Sequence, residues 1–357
     1  MDYIRRINAL RELFDSAYQG LLLTNLNNVR YLCGFSGSCG MLLVTKKEAV
    51  FFTDFRYQEQ SAREIGNAAE IIVFKNNQIE TVLKRVRKAR IKSLGVEKSL
   101  SIRQFMAYGE EFKGEMIPVE GLVEQLRQIK DAEELKSLKK AFSLADNAFA
   151  ELMKIIKPGM TETEVAAHLE FFMKVSGSQA PSFDTIIASG PNSSCPHAQP
   201  SERKLKKGEM VKIDFGAVYG GYHSDMTRTV FLGKATPKFK NIYAIVLEAQ
   251  QKAIAAIKPG VVCKDVDAVA RKVITDAGYG ENFGHGLGHS LGLEVHEAPA
   301  LSVRCDDKIR PGVAFTVEPG IYLPGWGGVR IEDVFLVKEK GLLRLTNTPN
   351  ELYEVKL

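Results

Sequence analysis

No apolar run in this chain approaches the ~18 residues that a membrane-spanning helix needs, so no span is expected. The opening residues, Met1-Asp2-Tyr3-Ile4-Arg5-Arg6-Ile7, place charges ahead of any apolar stretch and offer no small-residue cleavage site, so no signal peptide is expected either. Cysteine is sparse. The five present, Cys33, Cys39, Cys195, Cys263 and Cys305, are odd in number, scattered and without C-x-x-C spacing, which argues against a disulfide framework, a zinc knot or a redox pair. A reducing compartment, the cytoplasm, fits that usage. An excess of one charge is missing too: 48 basic against 43 acidic residues leave only +5 on a mixed surface. The densest basic stretch, Lys84-Arg85-Val86-Arg87-Lys88-Ala89-Arg90, continues a helical pattern through Ile79, Val82, Leu83 and Val86 and reads as a solvated helix face. Neither a nucleic acid nor a membrane is expected as a partner.

What is present is enough apolar material, 45% of 357 residues, for about two domains. Short apolar runs at Gly20-Leu21-Leu22-Leu23, Met41-Leu42-Leu43-Val44, Val50-Phe51-Phe52 and Ile71-Ile72-Val73-Phe74 alternate with turns and amphipathic stretches, predicting a mixed α/β domain over residues 1–123. Asp131, with Glu134 three residues on, forms a capping-box pattern that opens a long helix, so a second domain is expected over residues 124–357. Within it the chain echoes itself. Ile156-Lys157-Pro158-Gly159 and Ile257-Lys258-Pro259-Gly260 each end a helix and precede another, over residues 161–175 and 265–277. Pro-Gly after a helix is ordinary punctuation. The offsets carry more: Asp214 lies 58 residues past Ile156 and Glu318 lies 61 past Ile257, while His197 and His296 lie 41 and 39 past the same marks. Two similar halves, each bringing an acidic strand and a histidine to one centre, account for this.

Lys212-Ile213-Asp214-Phe215 and Asp225-Met226-Thr227-Arg228-Thr229-Val230 flank Tyr219-Gly220-Gly221-Tyr222, which reads as a hairpin. A turn centred on Tyr219-Gly220 opposes Asp214 to Asp225, and like charges at cross-strand distance call for something positive between them. A turn centred on Gly220-Gly221 opposes Asp214 to Thr227 instead. Gly284-His285-Gly286-Leu287-Gly288-His289 carries too many glycines for a helix and suits backbone packed closely around a site. Thr316-Val317-Glu318-Pro319-Gly320 and Val329-Arg330-Ile331-Glu332-Asp333 follow, and strand alternation in the latter points Arg330 and Glu332 the same way. Singly, each of these is more simply a surface carboxylate, a loop histidine or an ion pair. Their joint occurrence favours a site.

With these residues in view the chain resembles the metallopeptidase family of methionine aminopeptidase, aminopeptidase P and prolidase, of which creatinase is a metal-free relative. The resemblance runs through the whole chain and is strongest from about residue 180 onward. The family's Asp, Asp, His, Glu, Glu ligand order is met by Asp214, Asp225, His289, Glu318 and Glu332. Its histidine motifs are met by Pro196-His197-Ala198, by His285-Gly286-Leu287-Gly288-His289-Ser290-Leu291-Gly292 and by Val295-His296-Glu297. The N-terminal match rests mainly on Thr53-Asp54-Phe55-Arg56-Tyr57. The resemblance implies an α/β creatinase-like N-terminal domain followed by an α+β "pita-bread" catalytic domain with a pseudo-twofold internal repeat.

It also implies a chemistry. Four carboxylates and one neutral imidazole balance two divalent cations at the spacing used for two-metal hydrolysis. Oxygen-rich ligation with a single nitrogen suits manganese, the expected metal, or cobalt, better than a thiolate-type zinc site, with zinc kept as an alternative. By resemblance Glu318 shuttles a proton, His197 and His296 meet the scissile carbonyl, His285 lies beside the leaving residue, and Arg330 orients Glu332 or meets a substrate carboxylate. Some aminopeptidases P carry a tyrosine where this chain has Phe183, so no hydroxyl contact is expected there. The ~120 residues ahead of the catalytic domain disfavour methionine aminopeptidase, and the complete ligand set disfavours both creatinase and a metal-free binding protein. The expectation is an aminopeptidase P acting before proline at the N-terminus of peptides, with prolidase as the alternative and a homodimer as the assembly.

Overall fold

The apolar runs of the N-terminal third become strands in the computed structural model, which describes residues 1–357. The chain forms two units, Met1–Arg127 and Gln128–Leu357. The first contains, in order, α1 (Tyr3–Glu12), β1 (Gly20–Leu23), α2 (Leu26–Cys33), β2 (Met41–Thr45), β3 (Ala49–Asp54), α3 (Gln58–Ile65), β4 (Glu70–Phe74), α4 (Gln78–Lys88), β5 (Ser93–Glu97), α5 (Ile102–Glu111), β6 (Glu115–Val119) and α6 (Leu122–Gln128). The expected domain boundary between residues 123 and 124 falls inside α6.

One mixed sheet runs β4-β3-β2-β1-β5-β6, with β1 antiparallel to β2 and parallel to β5. Every residue of β1 and β2 is buried, which is why those runs are continuously apolar and do not alternate. Their core gathers Leu22, Leu43, Phe52 and Leu94 with Val82, Leu83 and Val86 of α4. The basic stretch lies on the other side of α4, where Arg85 pairs with Glu48 at 2.6 Å and Glu70 at 2.7 Å.

The second unit contains α7 (Ala132–Ile155), α8 (Glu162–Val175), β7 (Ile186–Ser189), β8 (Met210–Phe215), β9 (Val218–Tyr219), β10 (Tyr222–His223), β11 (Met226–Leu232), α9 (Pro237–Ala256), α10 (Cys263–Asp276), β12 (Gly288–Ser290), β13 (Glu297–Leu301), β14 (Ala314–Val317), β15 (Gly320–Leu323), β16 (Gly327–Arg330), β17 (Asp333–Val337), β18 (Leu342–Arg344) and β19 (Tyr353–Val355). Asp131 caps α7 by accepting from the N–H groups of Glu133 and Glu134, both at 2.9 Å, while the Glu134 carboxylate accepts from the Asp131 N–H at 3.0 Å. Two sheets, β19-β11-β8-β7 and β13-β12-β14-β17-β18, carry the two halves. No helix is long and apolar enough to cross a membrane.

The internal echo is a repeat of backbone hydrogen bonds. After α7 the chain extends at Ile156, and Gly159, at φ +95°, donates to Leu205 O at 2.9 Å. After α9 it extends at Ile257, and Gly260, at φ +88°, donates to Ile309 O at 2.9 Å. Gly208 donates to Leu232 O and Gly312 to Val337 O, each at 2.8 Å, so β8 pairs with β11 as β14 pairs with β17. Gly208 and Gly312 are 104 residues apart, as are Asp214 and Glu318. Those two carboxylates therefore occupy equivalent places in the two halves.

The hairpin turns on Gly220-Gly221, both at positive φ (+59° and +81°), as a two-residue turn with right-handed strand twist requires. Asp214 consequently faces Thr227, and the alternative register that opposes it to Asp225 is not adopted.

Candidate metal centre

Strand alternation, glycine packing and the pseudo-twofold repeat converge on one cavity of about 550 Å³ in the second unit. Asp214, Asp225, His289, Glu318 and Glu332 line it, as do His197, His285, His296, Arg330 and Phe183. The sequence-expected residues are thus brought together although they span residues 197 to 332.

His289 arrives on β12, held close to β14 by Gly288: a Cβ there would lie 2.0 Å from Thr316 O, so no larger residue fits. The Thr316 hydroxyl accepts from the His289 N–H at 2.9 Å and donates to Glu318 Oε1 at 3.1 Å, tying the two side chains to one strand. The ring Nδ1 of His289 lies 3.1 Å from Ser290 O, so Nδ1 carries the proton and Nε2 presents a lone pair. That lone pair faces Asp225 Oδ2 at 3.6 Å and Glu318 Oε1 at 3.4 Å. Burial holds the ring below its ordinary pKa, in its neutral, ligand-ready form.

The carboxylates show the same demand for a cation. Ligand atoms of Asp225, His289 and Glu332 all lie within 4.8 Å of one another. Asp214 Oδ1 and Glu332 Oε1 are buried without a hydrogen-bond partner, a costly arrangement for an anion unless a cation meets it. Burial, followed by the charge of Glu332, raises Asp225 well above the usual carboxylate range; burial, followed by Glu318, does the same to Glu332. Burial pushes Glu318 up to about 7. The donor set, oxygen-rich with one imidazole nitrogen, fits divalent cations of the hard and borderline kind.

Arg330 sits among these groups, only 3% exposed. Its link to Glu332 runs through a threonine. Its Nη2 pairs with Asp214 Oδ2, its Nη1 donates to the Tyr322 hydroxyl at 2.9 Å and to Pro196 O at 3.2 Å, and its Nε donates to the Thr227 hydroxyl at 3.0 Å. Thr227 in turn donates to Glu332 Oε2 at 2.7 Å, so the guanidinium reaches Glu332 through Thr227. The direct contact is precluded because the adopted register places Thr227 opposite Asp214, between the arginine and the glutamate.

His285 is bonded at both ring nitrogens. Nδ1 donates to Gly286 O at 2.8 Å and Nε2 accepts from the Tyr322 hydroxyl at 2.9 Å. Burial, reinforced by Arg330, pushes its pKa down to about 4, so it stays neutral and fixed in orientation. His197 and His296 are exposed on the cavity wall, the latter with its ring 4.3 Å from that of His289.

Four contributors were missed by the sequence reading: Thr227, Thr316, Tyr322 and Lys212. Lys212 had a visible signal, a lysine in an otherwise apolar strand two residues from Asp214. Its Nζ donates to the carbonyls of Cys195 at 2.5 Å, Pro196 at 3.0 Å and Ser193 at 3.4 Å, while burial pushes its pKa down to about 7. The threonines share faces with the ligands by alternation, but a threonine in a strand is unremarkable on its own.

Fold and site together define a metallohydrolase of two similar halves closing on a carboxylate-rich centre. The chain belongs to metallopeptidase family M24: it matches that family over residues 136–339, and the Creatinase/Prolidase N-terminal domain over residues 5–129. A solved Xaa-Pro dipeptidase from Bacillus anthracis is 46% identical, with a TM-score of 0.96 over 99% of both chains. The Xaa-Pro dipeptidase of Pyrococcus horikoshii is 40% identical over 97% of this chain and 98% of its own. A solved X-Pro aminopeptidase from Thermotoga maritima is 39% identical, with a TM-score of 0.89 over 95% of this chain and 98% of the other.

Proposed function

We propose that this metallopeptidase is an Xaa-Pro dipeptidase, the alternative to the aminopeptidase P that the sequence favoured. The observation that carries the reading is the set of four carboxylates and a neutral imidazole, its Nε2 turned toward two of them, in one cavity, within a chain similar along nearly its whole length to Xaa-Pro dipeptidases. Asp214, Asp225, His289, Glu318 and Glu332 would hold two divalent cations, manganese being our choice. When bound, such cations supply Lewis acidity and an activated water near neutral pH.

The remaining roles belong to the chain. Glu318, on the Thr316 hydroxyl, takes a proton from the attacking water and returns it to the departing imide nitrogen. His197 and His296 donate to the scissile carbonyl as charge develops on its oxygen. His285, with both nitrogens engaged, packs against the proline ring and moves no proton. An imide has no N–H, so selection for proline works by ring shape. A cytoplasmic homodimer accompanies this reading.

One observation favours the aminopeptidase as a second reading. Arg330 is the only arginine on the cavity wall, no lysine joins it there, and all its nitrogens are engaged. That wall presents no uncommitted cation for the free carboxylate of a dipeptide, and a similar solved structure is an X-Pro aminopeptidase. After reconstitution with manganese, Xaa-Pro is expected to turn over faster than Xaa-Pro-Xaa, and both faster than matched Xaa-Ala controls. Faster tripeptide cleavage would establish the second reading, and equal turnover of Xaa-Ala would refute proline selectivity.

A further inference from the structure

His197 is exposed and follows a 3-10 turn, Gly190–Ser194, on a segment that is in neither helix nor strand from residue 195 to 203, so something other than burial must hold it toward the cavity. Two buried polar side chains hold that stretch. Glu162, fully buried, accepts from Ser189, Asn192 and Ser201 at its two ends. Lys212, also fully buried, grips its middle, donating to the carbonyls of Ser193, Cys195 and Pro196, the last being the residue before His197.

Burying a lysine amine costs desolvation that its hydrogen bonds must offset, and an apolar side chain would fill position 212 without that cost. The pseudo-twofold repeat shows what the position does in the other half. Lys212 precedes Asp214 by two residues on β8 as Thr316 of β14 precedes Glu318, just past the end of that strand, so the two are equivalent. Thr316 holds the backbone N–H of His289. Each half therefore uses the same inward strand position, next to a carboxylate, to fasten the segment that brings in a histidine.

We propose that Lys212 is a positioning residue that sets His197 against the scissile carbonyl by fastening the three carbonyls leading into it. The inference rests on the reading of His197 as a carbonyl donor. Lys212 does not line the cavity, so its effect on the reaction runs through the segment that carries His197. The test is a double-mutant cycle of Lys212→Met and His197→Ala in the manganese-loaded full chain, reading kcat, KM and metal content. Lys212→Met is expected to lower kcat about tenfold or more with KM and metal content near wild type, and to cost less than about twofold once His197 is alanine. Effects that multiply in the double variant, or loss of metal from Lys212→Met, overturn the inference while leaving His197 in place. A His197→Ala variant with wild-type kcat removes the role of His197 and the inference with it. Should Lys212→Met not fold, Lys212→Gln, with two N–H donors on a shorter side chain for three carbonyls, goes through the same cycle: a loss of kcat that vanishes once His197 is alanine supports the inference, and effects that multiply, or no loss in the single variant, overturn it.

Discussion

Replacing Thr227 by valine removes one hydroxyl and preserves shape, yet it breaks the relay between Arg330 and Glu332. Thr227 is fully buried, with its oxygen 2.7 Å from Glu332 Oε2 and 3.0 Å from Arg330 Nε. Both partners stay buried after the change, at 1% and 3% exposure, so neither regains water. A hydrogen bond to a charged group is worth ~1.5–3 kcal/mol, and the orphaned partner bears the desolvation cost. Glu332 Oε1 has no hydrogen-bond partner already, so the carboxylate loses its side-chain support entirely. We expect the metal-free protein to lose ~2–4 kcal/mol of stability and metal affinity to fall ~10–100-fold, the usual effect of removing a group that orients a ligand. Thermal melts of the metal-free protein and competition against a chelating indicator give the two numbers. Thr229→Val is the control: that hydroxyl bonds only backbone groups of Arg330, so stability should fall without a comparable change in affinity. Wild-type metal affinity in Thr227→Val, or an equal loss in Thr229→Val, refutes the relay.

Two further outcomes follow from the same geometry. Glu332→Ala should lower both bound metal and rate, whereas His296→Ala should lower the rate with metal retained; elemental analysis beside kcat separates them, and metal loss from the histidine variant would contradict the ligand set. In the metal-free protein burial raises Asp225 and Glu332 and pushes Glu318 up to about 7, while the same carboxyls ionise near 4 when unfolded. Between those values the folded state keeps protons that the unfolded state has released, so stability falls as pH rises, by on the order of 3 kcal/mol for Glu318 alone. Melting of chelated protein from pH 5 to 7.5 should show this fall and Glu318→Gln should flatten it; an equal slope in both would disprove the assignment.

The parts of this protein legible in its sequence are those governed by local rules. The Asp131 capping box, the strands of the first unit and the glycine-held His289 follow from patterns a few residues long. The repeat was legible because two helices end with the same residues and carry their carboxylates at similar distances. The hairpin register was not, since Tyr219-Gly220 and Gly220-Gly221 both make acceptable turns; two adjacent positive φ values select the second. That one choice redirects Arg330. With Thr227 opposite Asp214, the guanidinium bridges an opposed pair, bonding Asp214 directly and reaching Glu332 through the Thr227 hydroxyl. Tyr322 and Lys212 enter through the same junction, the tyrosine hydroxyl linking Arg330 to His285 and the lysine sharing Pro196 O with Arg330. Contacts of this kind join residues anywhere from 8 to 134 positions apart and leave no periodicity behind. What the sequence can signal is a polar side chain at a strand position that should be apolar, and Lys212 is such a position.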